Sequence, residues 1–176
     1  MRGVTPLKKI LIIGIVASGK TTLARRLSET LNIPWYELDR IVHHRTETGR
    51  YKRTPDEQIE VIQDIDKYGE WIFEGTDRPS YRCLFDMADT ILFLDPPLWK
   101  RRIRILTRFL KQNLGIEKCD YKPDLKMLNM MYQWTQHFEE NRKTFESRLE
   151  LYKEKVIRLH DNEDLSFAIN SHDPTA

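Results

Sequence analysis

The segment Gly14-Ile15-Val16-Ala17-Ser18-Gly19-Lys20-Thr21 lies between two different hydrophobic periods, and that junction constrains the fold more than any other part of the chain. Before it, Ile10-Leu11-Ile12-Ile13 is an unbroken apolar run, the pattern of a parallel strand buried on both faces. After it, Leu23, Ala24, Leu27 and Leu31 recur at helical spacing until Asn32 and Pro34 stop the pattern. A strand that passes through a glycine-bounded loop straight into a helix opens a crossover unit.

Four more strands are predicted downstream: Pro34 to Leu38 ending at Asp39, Trp71 to Glu74, Thr90 to Asp95 before Pro96-Pro97, and Lys155 to Leu159. The stretch from His44 to Thr54 reads as a polar loop, and Pro55 starts a helix whose Ile59, Ile62 and Ile65 share a face until Gly69. Leu98 to Leu110 reads as a helix with Ile103, Leu106 and Leu110 on the apolar face and Arg101, Arg104 and Arg108 on another. After an irregular stretch from Gly115 to Pro123, Leu125 to Phe138 resumes helical spacing. Its Met127, Met130, Met131 and Trp134 are expected on the apolar face rather than at a cofactor. Strands separated by helices imply a three-layer α/β/α sandwich around a central five-stranded parallel sheet. With 176 residues and no repeat or linker, residues 1–176 are read as one domain, with a helical lid at about 110–148.

Composition narrows the function classes. Twenty-nine Lys and Arg against 27 Asp and Glu leave a net charge of +2, which argues against specific duplex recognition. Cys83 and Cys119 are far apart and suit neither a disulfide framework nor zinc, so free thiols in a reducing compartment are expected. The start of the chain lacks a signal-peptide run, and Ile10 to Val16 is too short to span a bilayer. A cytoplasmic protein with no membrane partner is expected.

The pattern GxxxxGK[ST] is complete from Gly14 to Thr21 and stands between a strand and a helix, where the backbone N–H groups and helix dipole favour a phosphate. Lys20 is suited to neutralising terminal phosphates, and the Thr21 hydroxyl is suited to Mg2+. Carboxylates for metal or proton work are offered at three strand ends by Asp39, Glu74 and Asp95. For Asp95 the bland alternative is a cap on the arginine helix. Arg78, Arg104, Arg108, Arg142 and Arg148 form a second set that can clamp phosphate oxygens, or else lie on solvated faces. His43-His44 has no further ligand pattern and reads as polar loop.

These residues resemble the adenylate-kinase-like P-loop kinases, and most of all the branch known as DNA topology modulation protein, FlaR-related. The likeness runs through Ala17-Ser18-Gly19-Lys20-Thr21, Leu38-Asp39, Trp71-Ile72-Phe73-Glu74-Gly75 and Ala88 to Asp95. Glu74-Gly75-Thr76-Asp77-Arg78 is similar to the segment after the third strand of adenylate kinases. Arg104 and Arg108 match an Arg-x-x-x-Arg pair, and Arg148-Leu149-Glu150-Leu151-Tyr152 matches a later Arg-Leu-x-x-Tyr. The resemblance implies a P-loop nucleoside triphosphate hydrolase fold and an ATP-dependent kinase using Mg2+. The nucleotide would lie on Gly14, Ala17, Ser18, Gly19, Lys20, Thr21 and Thr22 with Arg104 beside the base. Thr21 and Glu74 would serve the metal, and Asp39, Arg78 and Arg142 the acceptor. Lys20, Asp39, Glu74, Arg108 and Arg148 would carry the transfer. Ala17 stands where the family usually has glycine, and its Cβ is a source of strain if the loop requires positive φ. Two readings follow: a kinase acting on a small-molecule acceptor, a nucleotide or nucleoside, and a nucleotide-dependent regulatory or DNA-associated protein without that activity.

Overall fold

The computed structural model describes residues 7–46, 49–117, 119 and 121–161. Its main sheet joins β1 (Lys9–Gly14), β2 (Trp35–Glu37), β5 (Trp71–Gly75), β6 (Thr90–Leu94) and β7 (Val156–Leu159) in the order β2-β5-β1-β6-β7, with every pair parallel. The central strand β1 pairs Ile12 with Glu74 on one side and with Leu92 on the other. Crossovers put one apolar cluster on each face. Leu23, Ala24 and Leu27 of α1 (Lys20–Leu31) pack with Ile10, Ile12, Ile72 and Leu92 on one face. Leu11, Phe73 and Phe93 meet Leu84, Phe145 and Leu149 on the other. This is the expected three-layer α/β sandwich with five parallel strands.

Four local readings change. The second strand is shorter than expected, because Leu38 turns inward to begin the short helix α2 (Leu38–Val42), so Asp39 lies in a helical first turn rather than at a strand end. The predicted polar loop is an antiparallel hairpin, β3 (His43–Thr46) with β4 (Gly49–Lys52), paired His43 to Lys52 and His44 to Tyr51. Its ladder carries polar and cationic side chains, so backbone bonds form it without an apolar alternation. The hairpin runs into α3 (Pro55–Asp66), whose start is fixed by a reciprocal capping box between Thr54 and Glu57. Ile62 is the fully buried isoleucine of this helix, while Ile59 and Ile65 are half-buried.

The third change is the face that α5 (Leu98–Asn113) buries. Arg101, Ile105 and Gln112 point inward, whereas Ile103, Leu106 and Leu110 are exposed. Arg101 donates through Nε to the Pro96 carbonyl at 3.1 Å and is ion-paired with Glu139 of α6 (Leu125–Glu150). A buried guanidinium without such partners would be very costly, so the polar anchors set the helix rotation. The fourth concerns Asp95. It does not cap α5, which begins after Pro97, but receives both terminal nitrogens of Arg142 at 2.8 and 2.9 Å.

Helix α6 continues well past Phe138, from an Asp124 cap that accepts from the Met127 N–H at 2.8 Å. Met131 is buried and Trp134 is largely exposed. Phe138 and Phe145 stack with Phe93, and Arg142 lies over the Phe138 ring, so the C-terminal half of α6 belongs to the core. The connecting elements are α4 (Cys83–Met87) and a 3-10 turn at Pro79–Tyr81. Among the described residues, no helix is long and apolar enough to cross a membrane.

Candidate functional site

The loop after β1 closes on itself. Ser18 N–H donates to the Ile15 carbonyl at 3.2 Å, and the Lys20 ammonium donates to the same oxygen at 3.0 Å. Both donors therefore converge on one carbonyl oxygen of the loop. Gly14 has no room for a side chain, since a Cβ would come within 2.7 Å of both the Leu94 carbonyl and Ser18 Oγ. Gly19 has φ 104° at the N-cap of α1, leaving the first N–H groups of that helix directed at the loop. Ala17 also has positive φ, 59°, so the conformation favouring glycine is held here by a residue with a Cβ.

Thr21, in the first turn of α1, donates its hydroxyl to Glu74 Oε1 at 2.7 Å. Burial raises the Glu74 carboxyl above its usual range, with Lys20 and the Thr21 hydroxyl pulling the other way. Burial likewise holds the Lys20 ammonium below its usual value, opposed by Glu74 and Asp39 and reinforced by Arg108. The parallel register makes this possible, because β1 and β5 deliver Gly14 and Glu74 to the same carboxyl edge of the sheet. Thr22, next along α1, is exposed.

Beyond Glu74, the chain leaves β5 through Thr76, Asp77 and Arg78. Arg78 donates to Asp39 at 2.8 Å, which joins the end of β5 to α2, and Arg148 of α6 is ion-paired with Asp77. Arg104 donates to the Ser18 carbonyl at 3.0 Å and to Asp161 at 2.9 Å, so α5 is tied to the phosphate loop itself. Arg108 donates to Glu117 at 3.0 Å. The structure therefore gathers Lys20, Thr21, Glu74, Asp39, Arg78, Arg104 and Arg108 around one edge, with Arg148 joined to it through Asp77. Arg142 stands apart: Asp95 and Glu139 take its Nε, Nη1 and Nη2 and raise its pKa.

A cavity of about 540 Å³ adjoins Arg78, lined by Val42, Lys52, Arg53, Pro55, Gln58 and Arg78. Arg53 donates to the Ile41 carbonyl at 2.8 Å, and Gln58 Nε2 donates to the Arg53 carbonyl at 2.8 Å, which fixes the cavity wall. Nearby His43 is held below its usual pKa by burial, then by Arg50 and Arg78. Lys52, Arg53 and Asp77 do not stand out in the sequence. A charge count around Asp39 and Arg78 is the signal that would find them, but no motif marks them.

The oxygen donors Thr21 Oγ1 and Glu74 Oε1 suit a hard divalent cation that keeps most of its water. Among the described residues, no group of three or more His, Cys, Asp or Glu side chains could hold a metal by itself.

No family model and no curated protein matches the sequence. Solved structures do. The shikimate kinase from Acinetobacter baumannii, in complex with shikimate, is similar over 97% of this chain and 94% of its own, at 15% identity and a TM-score of 0.56. An uncharacterized protein from Eubacterium ventriosum is similar over 95% and 98% at 16% identity, with a TM-score of 0.52. Likeness at these identities shows the fold alone, an α/β fold shared with that shikimate kinase.

Proposed function

We propose that this chain is an ATP-dependent phosphotransferase that moves the terminal phosphoryl group of ATP to an anionic small molecule, a nucleotide being one such acceptor. The observation that carries the reading is the Lys20, Thr21 and Glu74 cluster at the loop, close enough to Asp39 to feel its charge, with Arg78, the partner of Asp39, on the wall of a cavity bordered by Lys52 and Arg53. Three cations on the walls of one cavity suit an acceptor with a phosphate or carboxylate group. The similar shikimate kinase holds shikimate, a hydroxy-acid, which is compatible with that chemistry.

In this reading the N–H groups of the loop and Lys20 hold the β and γ phosphates, with Gly14, Ala17, Ser18, Gly19, Thr21 and Thr22 forming the cradle. Arg104 lies beside the base. Thr21 and Glu74 would hold the magnesium shell, and the bound ion would supply charge neutralisation on phosphate oxygens. Arg78 anchors the anionic group of the acceptor. Where the accepting oxygen is a hydroxyl, Asp39 takes its proton as that oxygen bonds the γ-phosphorus and the bond to the ADP oxygen breaks; an ionised phosphate oxygen has no proton to give, and Asp39 then only positions Arg78. Arg108 and Arg148 neutralise the spreading charge once released from Glu117 and Asp77. Arg142 acts through α6, as part of the anchor on which that helix moves. The likeness to the topology-modulation branch is compatible with this assignment.

The test is coupled ADP release with nucleoside monophosphates, sugar phosphates and hydroxy-acids against neutral nucleosides and sugars. Acceptor-dependent ADP is expected from an anionic member and is expected to vanish in Lys20→Ala. Turnover confined to neutral acceptors would overturn the anionic assignment, and no acceptor-dependent ADP from any of them would overturn the kinase assignment.

A further inference from the structure

The outer face of α5 is the largest feature that the transfer site leaves unexplained. Trp99, Ile103, Leu106, Leu110 and, just past the helix end, Leu114 are between 45% and 72% exposed. At 3.6 residues per turn the five fall within an arc of about 80°. That arc lies on the far side of the helix from Arg101, Ile105 and Gln112, which face the core. Beyond the helix end, Ile116 and Leu125 are likewise more than 70% exposed. Single exposed apolar residues are ordinary, but a continuous stripe on one helix is not.

Charge identifies what covers it. Helix α5 carries Lys100, Arg101, Arg102, Arg104, Arg108 and Lys111 and no acidic residue. Residues 98–126 hold nine Lys and Arg against three acids, a local +6, so the rest of a +2 chain sums to −4. Arg102 flanks the stripe on one side and Lys111 on the other, where Lys100 is ion-paired with Asp161, and Lys122 and Lys126 stand on either side of Asp124 near Leu125. A second copy seated symmetrically on this face would bring two such cationic rims together. Lys100, Arg101, Arg104 and Arg108 are ion-paired with carboxylates, but an apolar stripe with Trp and Leu on a helix that itself carries Lys and Arg and no acid is the composition of a helix lying at a lipid headgroup boundary.

We propose that the outer face of α5 and the apolar tip beyond it dock on an anionic lipid bilayer. The contact is peripheral and needs no spanning segment. Arg104, which donates to the Ser18 carbonyl, and Arg108 lie outside the apolar arc, about 80° and 120° from its edge. This proposal does not depend on the acceptor assignment.

The test is co-sedimentation of the full chain with phosphatidylcholine vesicles containing phosphatidylglycerol, against phosphatidylcholine alone. Binding to the anionic vesicles is expected to exceed binding to the neutral ones by at least about tenfold and to weaken as salt rises. Ile103→Glu with Leu110→Glu should remove it, and Arg102→Gln with Lys111→Gln should weaken it by about tenfold. Both sites are exposed, and a thermal melt with ATP-binding titration of each variant shows whether the fold is kept. Equal binding to both vesicles, or a folded glutamate variant that binds as well as the parent, overturns the proposal. A dimer in sedimentation velocity that the glutamate variant converts to monomer also overturns it and assigns the face to a second copy.

Discussion

Replacing Ala17 by glycine isolates the strain in the phosphate loop. A residue with a Cβ at φ 59° sits in the left-handed region, where the cost relative to glycine is roughly 1–2 kcal/mol. The substitution also gives the unfolded chain more freedom, which returns about 0.4–1 kcal/mol in the opposite direction. The balance is a net stabilisation of about 0.5–1 kcal/mol. For a chain of this length that corresponds to a rise in melting temperature of about 1–4 °C. Differential scanning calorimetry without nucleotide is the direct assay, because no ligand term enters. Ala17→Val supplies the opposite arm: a β-branched side chain at the same φ should lower the melting temperature by more than glycine raises it. A glycine variant that melts below the parent would refute the reasoning and show that contacts of the alanine methyl outweigh the backbone strain.

Two further outcomes are expected. Thr54→Ala removes one half of the capping box that starts α3 and should cost about 1–2 kcal/mol in urea denaturation, whereas a loss near zero would mean that Pro55 alone fixes the helix start. Glu74→Gln should change the pH dependence of stability, because the folded-state pKa of Glu74 is raised above its usual 4.5. The contribution of Glu74 is full below that value and is lost as pH rises through the folded pKa, so the parent should lose stability relative to the glutamine variant from about pH 4.5 upward. Denaturation at a series of pH values measures this, and parallel profiles would remove burial as the dominant influence on Glu74.

The frame is legible in the sequence wherever burial leaves a local signature. Ile10 to Ile13, Trp71 to Phe73 and Ile91 to Leu94 read as strands because both of their faces are covered, and GxxxxGK[ST] locates the loop between β1 and α1. The hairpin is not legible, since His43, His44, Arg50 and Lys52 alternate in nothing but backbone pairing. The rotation of α5 misleads for a related reason. Aliphatic spacing favours Ile103 and Leu106 as the inner face, yet Arg101 finds Glu139, 38 residues away, and no local pattern announces that partner. Arg142 illustrates the same limit. The resemblance implies a place for it among the residues that serve the acceptor, yet its carboxylate lies 47 residues back at Asp95. The site residues on strand ends can be found because topology brings such ends together, while Asp77, Lys52 and Arg53 are placed by turns that sequence periodicity does not describe.

The pairing of Arg142 with Asp95 also has a mechanical meaning. Helix α6 is held at this point by two hydrogen bonds to Asp95 and by the packing of Phe138 and Phe145 on Phe93, which makes the region a fulcrum. From Arg142 to Leu125 the helix extends about 25 Å at its standard rise. With an arm of that length, a tilt of about 10° would carry the tip through about 4 Å. Near the fulcrum the same tilt scarcely displaces the aromatic core. Any tilt of α6 about this point would therefore be felt toward its Leu125 end, past the ties of Glu139 and Tyr132 to Arg101 and Arg102 of α5, rather than in the aromatic core.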